Sequence, residues 1–209
     1  MVNNYDKIAR YYDFLSRMFF FNTQIKAQTA QLSEIPPYSK ILIAGGGSGW
    51  ILEELSKLQP KNLSITYIEI SKEMIKLAKK RNIRQNKIEF INCAVETFHT
   101  NQKYDVIHTA FLFDNFTKAK VDIIFRKLNN ILMPGGLWLF SDFSYQQQND
   151  KKWKGIFLKL MYKFFNKIAN VEATELIDTA VNFENAAYQK LKERKYYLKF
   201  IRATIYRRP

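Results

Sequence analysis

The run Ile41-Leu42-Ile43-Ala44-Gly45-Gly46-Gly47-Ser48-Gly49-Trp50 constrains this chain more than any other feature. A short apolar stretch enters three glycines at alternate positions, Gly45, Gly47 and Gly49, and leaves into Ile51-Leu52-Glu53-Glu54-Leu55, which has helical spacing. The pattern predicts a strand, a tight turn and a helix, the unit that brings a small ligand close to backbone amides at a helix N-terminus. Glycine serves there because a Cβ would block the approach or forbid φ > 0. A second strand pattern, Leu63–Glu69, ends on a carboxylate. A carboxylate at the tip of the neighbouring strand is the natural partner of a ribose diol. The two signals together predict a nucleoside-containing cofactor.

Two cofactors compete. The dinucleotide fingerprint G-x-G-x-x-G/A needs a small third residue so that helix and strand can pack closely. Trp50 stands at that position. The triplet G-x-G-x-G instead resembles motif I of the class I S-adenosylmethionine-dependent methyltransferases. The segment Glu69-Ile70-Ser71-Lys72-Glu73-Met74 through Ala78 and Arg81 resembles that family's D-x-S-x-x-M-L-x-x-A-x-x-R. Ala9-Arg10-Tyr11-Tyr12-Asp13 resembles the A-x-x-Y-D of the ubiquinone/menaquinone-biosynthesis-like branch, and Leu132-Met133-Pro134-Gly135-Gly136 the L-x-P-G-G before the fifth strand. The four matches are in order and cover roughly residues 5–145.

The resemblance implies S-adenosyl-L-methionine as cofactor and assigns roles to matching positions. Gly45, Gly47 and Gly49 would let the methionine moiety lie against the loop. Glu69 would accept hydrogen bonds from the ribose hydroxyls, and Ile70 would cover one face of the adenine. Tyr12 would close over the cofactor, while Thr109 and Ala110 would line the floor near the reactive methyl. Gly46, Met74, Val95 and Glu96 complete the expected cofactor-binding positions. Three departures stand out. Ile43 replaces an acid two residues before the first glycine. Cys93-Ala94-Val95-Glu96 replaces G-D-A-E, so the acid that takes the adenine amino group is Ala94. Phe113-Asp114-Asn115 replaces the L-H-H of many relatives, which leaves the acceptor unnamed. The first two remove polar contacts worth about 1 kcal/mol or more each.

Methyl transfer from a sulfonium is an in-line displacement that asks mainly for alignment and desolvation, and no catalytic triad is visible. The candidates for handling an acceptor proton are Asp142, just after the fifth strand, Tyr11 beside Tyr12, and His108 within the fourth strand. Asp142 is equally readable as a helix or turn cap, whereas His108 reads first as a packed or satisfied imidazole. His99 reads as solvated. Cys93 has no partner that would make it a nucleophile, and no metal site is expected.

Alternating helix and strand patterns predict an α/β fold: a doubly wound, Rossmann-like, mostly parallel sheet. The resemblance adds the count of seven strands with the last one antiparallel, helices lying on both faces. The expected strands are about 40–44, 63–69, 88–92, 104–110, 137–141, 188–196 and 199–207. A helical stripe at Val121, Ile124, Phe125, Leu128, Ile131 and Leu132 is expected to end at Gly135-Gly136. The chain reads as one methyltransferase domain over 1–209, divided into an N-terminal helical cap (1–35, amphipathic from Tyr5 to about Phe20), a cofactor-binding core (40–145), a helical insertion on the acceptor side (150–187) and a terminal strand hairpin (188–209). The insertion opens with an amphipathic helix over about Lys151–Ala169, carrying Trp153, Phe157, Met161 and Phe164. It would roof the acceptor pocket, lie as an ordinary surface helix, or touch an anionic membrane in a peripheral way.

One cysteine and no apolar N-terminal segment or membrane-length apolar run predict a cytoplasmic protein. The net charge of +14 invites a nucleic-acid or anionic-membrane reading, although lysines on solvated helix faces account for it better. Ile35-Pro36-Pro37-Tyr38 resembles the base-holding N/D-P-P-Y/F of nucleic-acid amino-methylating enzymes. It lies before the first strand, however, while Thr109-Ala110-Phe111-Leu112 occupies the place after the fourth. The expected partner is therefore a small acceptor, apolar or aromatic, with no specific nucleic acid and no obligatory protein partner. A nucleic-acid methyltransferase is one alternative. A non-catalytic S-adenosylmethionine- or S-adenosylhomocysteine-binding protein, suggested by Ile43 and Ala94, is the other.

Overall fold

A computed structural model of the chain describes residues 6, 9, 22–58, 62–144, 155–156, 160, 163, 173 and 175–209. Most of the amphipathic segment from Tyr5 to Phe20, including Tyr11 and Tyr12, lies outside the described residues, as does most of the predicted helix over 151–169. Of that helix, Gly155, Ile156, Leu160 and Lys163 are described and helical. Ile156 and Leu160 are 60% and 62% exposed, so these two members of its apolar stripe are not in the core.

The order of elements is α1 (Thr23–Leu32), β1 (Lys40–Ala44), α2 (Trp50–Leu58), β2 (Ser64–Glu69), α3 (Lys72–Ala78), β3 (Lys87–Asn92), β4 (Tyr104–Ala110), a 3-10 turn (Phe113–Asn115), α4 (Lys118–Ile131), β5 (Leu132–Phe143), α5 (Ala180–Asn185), β6 (Gln189–Tyr196) and β7 (Ile201–Arg207). The seven strands form one sheet in the order β3-β2-β1-β4-β5-β7-β6. Strands β1 to β5 pair in parallel, and β7 runs antiparallel to both β5 and β6. This is the seven-stranded arrangement with an antiparallel last strand. The order reverses between β1 and β4, and ligands of open α/β sheets bind at the carboxyl ends of the strands at such a switch.

Burial on both faces follows from the apolar runs of β1, β2 and β4. One face packs Leu42, Ile107, Trp138 and Phe140 under the α4 stripe of Val121, Ile124, Phe125 and Leu128, with Phe183 of α5 stacked on Tyr206 at 3.9 Å between ring centroids. The other face packs Ile41, Ile43, Ile65 and Leu139 under Leu32 of α1 and Ile51, Leu52 and Leu55 of α2. Among the described residues no helix is long and apolar enough to cross a membrane.

The boundary at Gly135-Gly136 differs from its sequence-based expectation. Helix α4 stops at Ile131, and Leu132 already has extended backbone with φ −75° and ψ 138°. The glycines lie inside β5, where pairing with β4 jumps from Tyr104↔Leu132 to Val106↔Leu137. A Cβ on Gly136 would come within 2.7 Å of Leu132 Cδ1 and 2.8 Å of the Met133 carbonyl oxygen. These glycines serve a bulge rather than a helix cap.

Candidate functional site

The C-terminal ends of β3, β2, β1 and β4 open into one cleft roofed in part by Gln24, Ile25 and Gln28 of α1. It encloses about 1210 Å³ counting its open mouth. That figure alone selects no ligand, so the polar groups must.

Glu69 sits at the tip of β2 and is buried. Its Oε2 accepts from the Gly47 N–H at 2.9 Å and its Oε1 from the Ser71 N–H at 2.8 Å. Each carboxylate oxygen offers about two lone-pair sites, so both can still receive a ligand hydroxyl. Burial pushes its carboxyl above the ordinary carboxylate value, against the two backbone donors and that of Ile70. The turn behind it is held by the Asn92 amide, which donates to the carbonyls of Glu69 and Ile70 at 2.9 and 2.8 Å. Ser71 caps α3, its hydroxyl accepting from the Met74 N–H at 3.1 Å and donating to Asp6 at 2.5 Å. Asp6 also accepts from the Glu73 N–H at 3.2 Å, so its carboxylate sits at the start of α3.

The loop after β1 takes the positive φ expected of its glycines, 71°, 63° and 77° at Gly45, Gly47 and Gly49, but the glycine amides are used inside the protein. The N–H groups of Gly45 and Gly46 donate to the Ile68 carbonyl at 2.9 and 3.2 Å, and that of Gly49 to the Gly46 carbonyl at 3.4 Å. With Gly47 bonded to Glu69, all four glycine amides have acceptors inside the protein. A pyrophosphate would find none of the four free, whereas dinucleotide loops depend on such amides. Most of the glycines answer to the protein's own packing. A Cβ on Gly46 would lie 2.1 Å from Tyr67 Cζ, and one on Gly49 would lie 2.6 Å from Ala78 Cβ. Gly47, at φ +63°, has nothing within 4 Å of a Cβ and faces open space. Tyr67, unnoticed in the sequence, fixes the loop by donating its hydroxyl to the Gly47 carbonyl at 2.8 Å.

Of the expected cofactor positions, Gly45, Gly46, Gly47, Glu69, Ile70, Met74, Val95, Glu96 and Ala110 line the cleft, as do the departures Ile43 and Ala94. Two do not. Gly49 is turned into the contact with α3. Thr109 points to the opposite face of the sheet, because side chains alternate along a strand. There its hydroxyl accepts from the Trp138 indole N–H at 2.9 Å. Its neighbour His108 faces the cleft instead, 4% exposed, with no partner for Nε2. Burial pulls that imidazole down to about 4, so it is neutral at physiological pH.

Asp142 is buried outside the cleft's lining. Its Oδ1 accepts from the Phe143 N–H at 2.8 Å, and backbone donors of Phe113 and Asp114 also favour its charged form, so it holds the 3-10 turn as a cap. Burial raises its carboxyl to about 7, and the neighbouring Asp114 carboxyl is pushed well above its ordinary value by burial and by Asp142. Cys93 lines the cleft, but burial raises its thiol, which disfavours a nucleophilic thiolate. Phe111 is another residue the sequence reading passed over. Its backbone is left-handed at φ 51°, unusual for a bulky side chain, and it follows β4 directly on the cleft wall. Among the described residues no group of three or more His, Cys, Asp or Glu could hold a metal ion.

A sheet ordered 3-2-1-4-5-7-6, a glycine loop after β1 and a buried carboxylate ending β2 define the class I S-adenosylmethionine-dependent methyltransferase fold. Residues 41–136 match the family model described as a methyltransferase domain. The chain is 27% identical over 146 residues to the ubiquinone/menaquinone biosynthesis C-methyltransferase UbiE of Geotalea daltonii, covering 67% of this chain and 61% of that protein. It is 34% identical over 103 residues to malonyl-[acyl-carrier protein] O-methyltransferase 2 of Ilyobacter polytropus, covering 49% of this chain and 39% of that protein. The chain thus spans about two fifths to three fifths of these relatives' lengths. The solved N-methyltransferase NodS of Bradyrhizobium japonicum, in complex with S-adenosyl-L-homocysteine, superposes with a TM-score of 0.66 at 16% identity, over 90% of this chain and 88% of that one.

Proposed function

We propose that this protein binds S-adenosylmethionine in the cleft and directs its methyl group to a small, uncharged acceptor of apolar or aromatic character. The cofactor supplies an electrophilic methyl on a sulfonium. The chain supplies position and dryness: Glu69 takes the ribose hydroxyls, Ile70 and Val95 flank the adenine, and the Gly45–Gly47 backbone offers a close surface whose own amides are satisfied. The residues fit the group, since Gly47 leaves open the space a Cβ would fill and Glu69 keeps acceptor capacity beyond its backbone donors.

One observation carries the acceptor class. The described charged side chains lining the cleft are Glu69 and Glu96, both on the β2–β3 side. The β4 side presents Ile25, Trp50, Phe111, Leu112 and Phe116, with Gln24, Gln28, Asn115 and neutral His108 as its polar groups. A charged acceptor would lose hydration there without a counter-ion. A neutral phenol, quinol or similar ring would bury its apolar surface and still meet hydrogen-bonding groups. The test is transfer of labelled methyl to a panel of neutral phenols and quinols, aliphatic carboxylates and amines. Preferential labelling of the neutral aromatic compounds supports the reading, and preferential labelling of carboxylates or amines overturns it. The alternative of binding without catalysis draws on Ile43 and Ala94, which place apolar groups inside the cleft. Tight S-adenosylhomocysteine binding with no transfer to any of the panel would favour it.

A further inference from the structure

Three glutamines of α1, Gln24, Gln28 and Gln31, fall at i, i+4 and i+7 and so share one face of the helix. Gln31 is spent. Its amide donates to the carbonyls of Phe140 on β5 and Thr204 on β7, both at 3.0 Å, and accepts from the Ser141 hydroxyl at 3.0 Å. Gln28 stands about 4.5 Å nearer the helix N-terminus, at about 1.5 Å per residue. There the helix has passed from the sheet to the cleft, which Gln24, Ile25 and Gln28 line and Gln31 does not. Gln28 is 8% exposed, yet its amide makes no hydrogen bond to any described residue. Nor is that amide sealed off. The unpaired side-chain N and O atoms closed to solvent are, among the described residues, His108 Nε2 and Arg202 Nε. Gln28 thus turns an unpaired donor and an unpaired acceptor into the cleft. The Asn115 amide on the same wall is already committed to the Phe111 and Leu112 carbonyls and to Asp114.

We propose that Gln28 is a specificity-determining residue for the methyl acceptor, its amide holding a neutral hydroxyl or carbonyl oxygen on an otherwise apolar molecule. The inference rests on the methyltransferase reading of the cleft and narrows its acceptor class. Position sets this glutamine apart from the nucleoside. Helix α1 is seated over β5 and β7, and β5 lies three strands from β2, where Glu69 stands. At about 4.8 Å per strand, that is about 14 Å across the sheet from the ribose site. Chemistry sets it apart from charged groups. A neutral amide on a wall of Ile25, Phe111, Leu112 and Phe116 is no counter-ion. Its NH₂ donates and its carbonyl accepts, which matches an oxygen that does either. In the open cleft solvent water can serve the amide. An acceptor that fills this side displaces the water, and one without an oxygen there leaves a buried donor and acceptor unpaired. Discrimination against the oxygen-free analogue therefore comes from the protein's own stranded amide, the case in which hydrogen-bonding sites select most strongly.

Equilibrium dialysis against a series built on one ring system tests this: 2-naphthol with a neutral hydroxyl, naphthalene with none, and 2-naphthoate with a charge. The protein is first titrated with S-adenosylhomocysteine and then kept saturated with it. Wild type should bind 2-naphthol about fivefold or more tighter than either naphthalene or 2-naphthoate. Gln28→Met keeps the length of the side chain without its amide. It should bring 2-naphthol to within about twofold of naphthalene, while S-adenosylhomocysteine affinity stays within about twofold of wild type. Gln28→Glu keeps the length and an accepting oxygen and should retain part of the preference, a rescue that a merely structural glutamine would not give. An unchanged preference in Gln28→Met overturns the proposal. So does a wild type that binds no 2-naphthol or binds it no better than naphthalene, or a loss of S-adenosylhomocysteine affinity in Gln28→Met as large as that of 2-naphthol. Failure of wild type to bind S-adenosylhomocysteine in the first titration sinks the cofactor reading and this proposal with it, whereas binding followed by any of the other results overturns this proposal alone.

Discussion

Glu69 offers the sharpest test of how the cleft holds a nucleoside. Glu69→Ala removes the acceptor of two backbone N–H groups, Gly47 at 2.9 Å and Ser71 at 2.8 Å, in a buried setting. At about 1 kcal/mol net per bond the fold should lose about 2 kcal/mol, part of it offset because a buried carboxyl no longer needs desolvating. Glu69→Gln keeps one oxygen but sets its NH₂ against one of the two donors, so about 1 kcal/mol is expected. Ligand affinity should fall by about 1–3 kcal/mol in either variant, since ribose hydroxyls lose a charged acceptor. Loop distortion could mimic that loss, and a double-mutant cycle separates the two. Wild type should prefer 5′-methylthioadenosine to its 2′-deoxy form, and Glu69→Gln should erase most of the preference. The pH response has a fixed sign. Burial raises the Glu69 carboxyl above 4.5, and the carboxylate is the better acceptor, so affinity should drop as pH falls through that raised value, while Glu69→Gln stays flat there. Stability runs the other way: a raised folded-state value contributes stability below the unfolded pKa and loses it as pH rises through the folded one. Calorimetry at several pH values and urea denaturation measure both. An equal preference for the 2′-hydroxyl in wild type and Glu69→Gln would refute the ribose assignment.

Gly46→Ala should lower stability by about 1–3 kcal/mol, an overpacking cost, because its Cβ would meet the Tyr67 ring at 2.1 Å; a melting temperature within error of wild type would contradict that. Thr109→Val leaves the buried Trp138 indole N–H without its 2.9 Å acceptor and should cost about 1–3 kcal/mol in denaturation, with S-adenosylhomocysteine affinity unchanged if Thr109 stands outside the cleft. Incubation with labelled S-adenosylmethionine and total RNA or DNA should leave the polymer unlabelled despite the +14 charge, and any nucleic-acid affinity should fall steeply with salt, as counterion release requires.

The sheet was legible because its signals are local and periodic. Apolar runs at β1, β2 and β4 and the α4 stripe at Val121, Ile124, Phe125 and Leu128 leave little choice of element. Helix α1 gave no such stripe. Its inward residues include Gln28 and Gln31, and Gln31 is buried because its amide donates to the Phe140 and Thr204 carbonyls at 3.0 Å and accepts from the Ser141 hydroxyl at 3.0 Å. A polar side chain satisfied across two strands is invisible to hydropathy, yet it seats the helix that carries Gln24 and Gln28 over the cleft. Gly135-Gly136 misled for a related reason. Glycine marks a backbone need without saying whether a helix cap or a bulge imposes it.

Within the site, position along a strand was readable but parity was not. Thr109 and Ala110 were both expected on the floor, although adjacent strand residues point to opposite faces. Val106, His108 and Ala110 share one face and Ile107 and Thr109 the other; the choice between faces depends on which helices cover each, a tertiary fact. The glycine loop carries the deeper lesson. Its spacing correctly indicates a tight turn with positive φ at Gly45, Gly47 and Gly49, but does not show where the glycine amides go. Tyr67 and Ala78 occupy the space beside Gly46 and Gly49, and the loop amides are bonded to Ile68, Glu69 and Gly46. With its four glycine amides already bonded, the loop offers a phosphate none of them, which favours a cofactor bearing a sulfonium over a dinucleotide by an argument separate from Trp50.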